Sequence, residues 1–461
     1  MPVAFSIKML IGILLFILHI QTYGIGELSH DGETFLREAS YLNQVFFTSP
    51  KDYFQLLFGI GDTKKLITEH LHMTQYWSAG DLTLINDSRN TIRFHSVIHF
   101  ISGNSHYVHL SVICFIGLLS VKNVYLIFSP YIQQSKTFTF WVLFLVPSTL
   151  FWTSSLLKEP LLFLGLTFLL RGIIVEKNST KRLLFSVFGI LFALSFKPYV
   201  FACLLVAFIF LASYQYLFRK YAALSVGVFF VIATTLFLLF PSLVERPVHY
   251  LTRKQFDFEN VGKGGLHVVS DSCFYYFEPH QYTNLAFHGD SVKLLRTTDA
   301  LILQFGSIQK PIPIHLLPST QKWKIYYQEA GCRSYIPTTP IQNSTLQLLK
   351  NIPEALINSA IRPFPSDPGS NLKYLSLLEV WLIFAFLLFA LARRRKLAEN
   401  EKSAILGLLV FAMLLFLVIG WTTPVLGAIT RYRFPAQFAL IVVGLILLKP
   451  IKWKKTKNIS L

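Results

Sequence analysis

The chain has 461 residues, 53% of them hydrophobic and 14% charged, with a mean hydropathy of +0.50. About a quarter of the residues in a soluble domain are charged, so this composition excludes an ordinary soluble protein and predicts an integral membrane protein in a lipid bilayer. A net charge of +18 raises nucleic acid as a partner, but the basic residues fall in short clusters between apolar runs, which is the pattern of cytoplasmic loops and sets nucleic acid aside.

The first apolar run covers about 4–24, with Lys8 as its only early positive charge. No clean small-x-small cleavage site precedes the polar stretch, so the run reads as a retained helix and not a signal peptide. A polar region, 25–106, follows as a large first outer loop. Within it, 51–58 reads as a short amphipathic helix lying on the membrane surface. Further runs come at about 107–129, 138–157, 160–175, 182–198, 199–218 and 222–242. Pro198 breaks the chain between two of them and makes a tight hairpin. Residues 1–242 are thus expected to form a seven-helix membrane module.

The second polar region, 243–372, carries strand-like pieces at 266–269 and 300–305. It also has turn signals at Gly262-Lys263-Gly264-Gly265 and Ser366-Asp367-Pro368-Gly369. It reads as a mixed α/β or β domain with some helix near 343–361, inserted after the seventh helix. Three more runs, at 373–392, 403–421 and 434–449, give a three-helix module over 373–461 with a basic tail. The fold expected is a polytopic α-helical membrane protein of about ten transmembrane helices.

Lys and Arg set the orientation. With the amino terminus inside, alternation through ten spans puts every short basic cluster on the cytoplasmic side, from Lys136, through Arg171 to Arg182, Arg219-Lys220 and Arg393 to Lys402, to the tail. Both termini are then cytoplasmic, and both large loops lie outside. A lysine-rich tail and an outer domain with only two cysteines fit a bacterial inner membrane. Cys114 and Cys203 lie in apolar runs and read as packing residues, while Cys273 and Cys332 share the outer loop, where a disulfide is open to them. No internal repeat is visible, which weighs against a transporter built of inverted repeats.

The candidate chemistry sits at the outer ends of the runs. Asp31 and Glu33 lie just beyond the first one, where a carboxylate can take a proton from an acceptor hydroxyl. Lys158-Glu159-Pro160 interrupts the apolar pattern, and Lys197 ends a run. Each lysine reads either as a snorkelling side chain or as a phosphate contact. Arg431-Tyr432-Arg433 precedes the last run on the side where arginine is rare, and arginine forks match phosphate oxygens. Arg93 is a lesser phosphate candidate and Arg362 lesser again. The histidines His30, His70, His72, His95, His99, His106 and His109, with Asp62, Asp81 and Asp87, are the residues that leave a divalent metal open. No cofactor is otherwise called for, and no phosphate-cradling glycine loop or nucleophile elbow is present.

Four stretches resemble the GT-C superfamily of glycosyltransferases, which includes the dolichyl-phosphate-mannose protein mannosyltransferases and the bacterial lipid-A aminoarabinose transferases. They are the acidic motif Asp31-Gly32-Glu33-Thr34-Phe35-Leu36-Arg37-Glu38-Ala39, the span start Glu159-Pro160-Leu161-Leu162-Phe163, the glycine-bearing span 189–196 ending at Lys197-Pro198, and Arg431-Tyr432-Arg433-Phe434-Pro435. The family's acidic pair is often adjacent, whereas here Gly32 separates the two acids. The resemblance implies a polyprenyl-phosphate-linked sugar as donor, an inverting transfer to an extracytoplasmic acceptor (glycan, lipid or protein), Asp31 and Glu33 as catalytic acids, and Arg431, Arg433, Lys197, Lys158 and Arg93 around the donor phosphate, supported by Glu159 and Tyr432. Two other classes stand beside it. A repeat-unit polymerase of an envelope or exopolysaccharide pathway would favour Arg93, Arg431 and Arg433 over the acids. A non-enzymatic transporter or assembly protein would place paired ionisable residues inside spans, where Lys122 and Glu379 are the near candidates.

Overall fold

Long apolar runs satisfy their backbone groups internally by forming helix, and helix dominates here. The computed structural model describes residues 1–23, 30–60, 64–74, 76–77, 86–217, 231, 235, 241–270, 273–304 and 311–451. These divide into two compact units, the first of 1–211, 382–412 and 434–461, the second of 212–381 and 413–433.

The first unit begins with α1 (Pro2–Tyr23), α2 (His30–Thr48), α3 (Pro50–Phe58), α4 (Lys64–His70) and α5 (Asp87–Ser102). The stretch read as an outer loop is therefore mostly helix with its own core, in which Phe35, Leu42, Tyr53, Leu56, Trp77 and Ile92 are buried together. Local sequence explains the breaks. Ser49 caps α3 by accepting from the Asp52 amide, and Gly59 ends it in the left-handed region at φ 68°. Asn86 caps α5 by accepting from the amides of Ser88 and Arg89.

Next come α6 (His106–Phe128), α7 (Lys136–Phe144), α8 (Pro147–Trp152), α9 (Glu159–Ile174), α10 (Ser179–Phe196) and α11 (Pro198–Leu217). The expected span 138–157 is not one helix. Pro147 disfavours helix at Val146, and the chain from Thr153 to Lys158 is irregular. There Ser154 and Ser155 turn their hydroxyls onto the carbonyls of Leu150 and Trp152. The hairpin of α9 and α10 packs backbone to backbone. A Cβ on Gly189 would lie 2.4 Å from the Leu169 amide nitrogen, and one on Gly165 2.7 Å from that of Ala193. Lys8, read as a flanking charge, is instead buried and donates to the Thr153 hydroxyl at 2.6 Å.

The second unit opens with α12 (Pro241–Lys263) and a seven-stranded sheet. Its strands are β1 (Gly265–Ser270), β2 (Cys273–Phe277), β3 (Leu285–His288), β4 (Ser291–Leu294), β5 (Thr298–Gln304), β6 (Ile312–Leu316) and β7 (Lys322–Glu329). The order is β3-β4-β7-β1-β2-β5-β6, and every pair is antiparallel. Alternation puts Leu266, Val268, Phe277, Val292 and Trp323 on the packed face, where Trp323 stacks on Tyr275 at 5.3 Å. Short helices α13 (Thr345–Lys350) and α14 (Ile352–Leu356) follow, in the stretch expected to hold helix. The last helices are α15 (Lys373–Ala392), α16 (Glu399–Thr422), α17 (Leu426–Tyr432) and α18 (Phe434–Leu447).

Among the described residues, four helices are long and apolar enough to cross a membrane: 106–131, α10, α15 and α16. The bent pair α17 and α18 makes a fifth if taken as one span, and Pro2–Leu18 and Pro198–Tyr214 are apolar but shorter. This is fewer than ten, partly because 138–157 is broken and α9 has only 16 residues. The expected span 222–242 lies outside the described residues but for 231, 235, 241 and 242, as do Arg219, Lys220 and the tail beyond Ile451. Side chains such as Leu183, Leu191, Leu375 and Leu388 are exposed on α10 and α15, apolar surface of the kind that lipid covers.

Candidate active site

In the first unit, the first turn of α2 carries Asp31 and Glu33, where the helix dipole favours negative charge. Their side chains have different neighbours. Asp31 Oδ1 accepts from the Tyr76 hydroxyl at 3.1 Å. Glu33 pairs with His106, the first residue of α6, at 3.7 Å. Glu38 lies two helical turns beyond Asp31 and is buried, and its Oε2 accepts from the Tyr76 amide at 3.3 Å.

Tyr76 therefore joins two carboxylates, and a third, Asp87, acts on it through space. Burial first, then the charges of Asp31, Glu38 and Asp87, raise the Tyr76 hydroxyl far above its ordinary pKa. It stays protonated and donates to Asp31. The Glu33 carboxyl is held below its usual range, chiefly by the neighbouring His106, so it is ionised at neutral pH.

Cations meet this cluster from α9 and α5. Lys158, just before α9, is 2.9 Å from Asp87 Oδ2 and donates to the Ser88 hydroxyl at 2.9 Å. Its ammonium also lies 5.5 Å from the centre of the Phe35 ring. Arg89 is buried, donates from Nε to the Tyr76 carbonyl at 3.0 Å and lies over Trp77. Arg93 is buried too, with Nε on the Leu56 carbonyl at 2.7 Å and Nη1 on Asn90 Oδ1 at 3.0 Å. Glu159 and Lys197 form a buried pair at 2.8 Å, 0% and 4% exposed, that ties the start of α9 to the end of α10.

An open cleft of about 570 Å³ has Glu33, but not Asp31, Glu38 or Asp87, in its wall. Its walls come from Gly12 and Phe16 of α1, Gly32, Glu33 and Leu36 of α2, His106 and Leu110 of α6, and the irregular segment 154–157. A mostly apolar cleft with one carboxylate–imidazole pair is of the kind that holds a ligand with apolar and polar parts.

No family model, curated protein or solved structure matches the chain.

In the second unit the arginines behave differently from each other. Arg433 is 0% exposed. Its Nη1 donates to the carbonyls of Ser359, at 3.0 Å, and Arg362, and its Nη2 donates to the Ser376 hydroxyl at 2.8 Å. The fork read as a phosphate clamp is used to hold backbone. Arg431 is half-buried, donates to the Tyr432 hydroxyl at 3.2 Å and lies 5.1 Å over its ring. Arg362 pairs with Asp367.

The metal alternative gains no geometry. Among the described residues no group of three His, Cys, Asp or Glu side chains is placed to hold a metal ion. Asp62 and Asp81, and the His30 side chain, lie outside the described residues. His70 pairs with Asp52 at 3.1 Å. His95 and His109 are buried with their Nδ1 atoms 3.0 Å apart, and His99 meets the Leu36 carbonyl at 3.2 Å. Burial first, then the other two imidazoles, holds His95 well below its ordinary pKa, so it is neutral. The Cys273 side chain also lies outside the described residues, so the structure does not address its pairing with Cys332.

Sequence reading singled out Asp31, Glu33 and Lys158, named His106 only among possible metal ligands and Glu38 only within the acidic motif, and passed over Tyr76. Glu38 had a usable signal: Asp31, Phe35, Glu38 and Leu42 share one face at heptad spacing, and all but Asp31 are buried. Tyr76 had none, because its contacts lie 38 and 45 residues away in sequence.

Proposed function

We propose that the chain is a membrane glycosyltransferase of the GT-C type, which moves a sugar from a polyprenyl-phosphate donor to an extracytoplasmic acceptor. The observation that carries the reading is the polar network in which Tyr76 donates to Asp31 and feels the charge of Asp87, the partner of Lys158, while Glu33, in the same helix turn as Asp31, lies in the wall of a mostly apolar cleft. An acid and a cation in one network supply the two things the transfer needs. Asp31 takes the proton from the acceptor hydroxyl, whose oxygen forms the new bond to the sugar's anomeric carbon. The bond from that carbon to the phosphate oxygen breaks, and the polyprenyl phosphate leaves with the electron pair. Lys158 faces that developing charge, where a fixed cation lowers the barrier. Tyr76 holds Asp31 in place, and Glu33 with His106 orients the acceptor in the cleft. In this reading the sheet-bearing second unit is extracytoplasmic and the chain is a multi-pass inner-membrane protein.

The polymerase reading leans on Arg93, Arg431 and Arg433. Two of these three are buried and hydrogen-bonded to backbone carbonyls, which makes them poor phosphate ligands in either reading; the transferase reading rests instead on Asp31 and Lys158.

The test is sugar transfer in proteoliposomes. Asp31→Asn keeps an acceptor for the Tyr76 hydroxyl and removes only the base, so kcat should fall about 10²–10⁴-fold with the fold intact. Glu33→Gln should cost less and act mainly on KM for the acceptor. Full activity in Asp31→Asn would overturn the assignment.

A further inference from the structure

The first unit holds a second cavity, of about 850 Å³, lined by none of the candidate catalytic or phosphate-binding residues. Helices α6, α9, α11, α16 and α18 form its walls. They are apolar almost throughout, as Phe128, Phe163, Ala207, Phe411, Phe438 and Val442 illustrate. Thr167, one of the few polar residues there, turns its hydroxyl onto the Leu164 carbonyl at 3.1 Å. Along α9 the lining runs from Phe163 to Ile174. That is about 16 Å at the helical rise, close to half of the ~30 Å bilayer core. Apolar walls offer water few hydrogen-bond partners and suit the chain of a membrane lipid.

One end of the cavity is basic. Tyr131, in its wall, has its carbonyl bound by Arg395 Nη2 at 2.8 Å. The same corner is closed by backbone bonds from Arg395 to Leu447 and from Lys449 to Arg393. Ala404, also in the wall, lies two residues beyond Lys402. The carboxylates here are engaged, Glu401 by both Nη atoms of Arg395 at 2.8 Å and Glu399 by Lys402 at 2.6 Å. Arg393, Arg394 and Lys396 are exposed around them. An apolar slot one leaflet deep, with an excess of positive charge at its mouth, is complementary to one kind of molecule: an acyl lipid with an anionic headgroup.

We infer that an anionic phospholipid binds the first unit, with an acyl chain in the cavity and its phosphate on Arg393, Arg394 and Lys396. Fixed cations beside a leaflet attract anionic lipid, and the cavity adds a chain-length contact that a bare charge patch lacks. The inference requires these helices to lie in a bilayer but does not depend on the transferase reading.

The test uses the full chain, purified in detergent and stripped of lipid. Its unfolding midpoint is followed as phosphatidylglycerol, phosphatidylcholine or a polyprenyl monophosphate is added. Phosphatidylglycerol should raise the midpoint by about 3 °C or more beyond phosphatidylcholine. Ala207→Phe, which fills the slot, should abolish that rise. The triple change Arg393→Gln, Arg394→Gln, Lys396→Gln alters only exposed side chains and should remove the preference for the anionic lipid, so it decides the matter if the filled variant does not fold. Equal shifts with the two phospholipids, or a triple variant that keeps its preference, would overturn the inference. So would stabilisation by the polyprenyl phosphate in place of phosphatidylglycerol, which would assign the slot to the donor's tail.

Discussion

Replacing Glu159 with leucine would leave Lys197 buried and without its 2.8 Å partner, at a site where the two residues are 0% and 4% exposed. Breaking a buried pair by removing one side costs about 3–5 kcal/mol, because the remaining charge stays desolvated. Replacing both sides with apolar residues of similar volume is about neutral, or stabilising by ~1–4 kcal/mol. Glu159→Leu and Lys197→Met should therefore each destabilise strongly, while the double variant recovers most of the loss. The coupling in the cycle should be at least about 3 kcal/mol. Denaturant unfolding in detergent measures it, and sugar transfer on the same four proteins separates structure from chemistry. In the present account the pair fastens α9 to α10, so the double variant should also keep activity within a few fold. Single variants that cost under ~1 kcal/mol would refute the structural role. A double variant that folds yet has lost transfer would instead make Lys197 a donor contact.

Two further outcomes follow from the second unit. Arg433→Met should destabilise by about 3–5 kcal/mol, since it strands the carbonyls of Ser359 and Arg362; Arg433→Lys should rescue only part of this, because an ammonium cannot reproduce the fork. Unfolding midpoints of the purified variants check both. His267 is held down to about 4, first by burial and then by Arg253. Its folded pKa lies below the unfolded value of 6.5, so the unfolded chain binds more protons between these values. The stability it contributes is complete above pH 6.5 and is lost as pH falls toward 4. The drop is on the order of 3 kcal/mol, and a stability-against-pH profile that His267→Gln leaves unchanged would contradict it.

The sequence carried much of the fold because membrane and sheet periodicities are local. Apolar runs marked α6, α10, α15 and α16, and alternation marked β1 and β5. The broken 138–157 run was missed because hydropathy averages over Pro147 and the serines that follow it. The helical packing of 25–106 was missed because its core, built on Phe35, Leu42, Trp77 and Ile92, is dispersed among many polar residues. At the site, residue type was legible and partnership was not. Arg93, Lys197 and Arg433 looked like phosphate ligands because each cation stood out against an apolar background. Their partners, Leu56, Glu159 and Ser359, lie 37, 38 and 74 residues away, and no local pattern reports a carbonyl or carboxylate waiting at that distance.

The central claim is tested most directly by the choice of donor. Proteoliposomes holding the wild-type chain should be given a polyprenyl-monophosphate sugar and, separately, a polyprenyl-pyrophosphate oligosaccharide, with release of the lipid phosphate followed over time. Release from the monophosphate donor is expected, and its loss in Asp31→Asn. Turnover of the pyrophosphate donor alone, or of neither while the folded protein is verified by its unfolding transition, would contradict it.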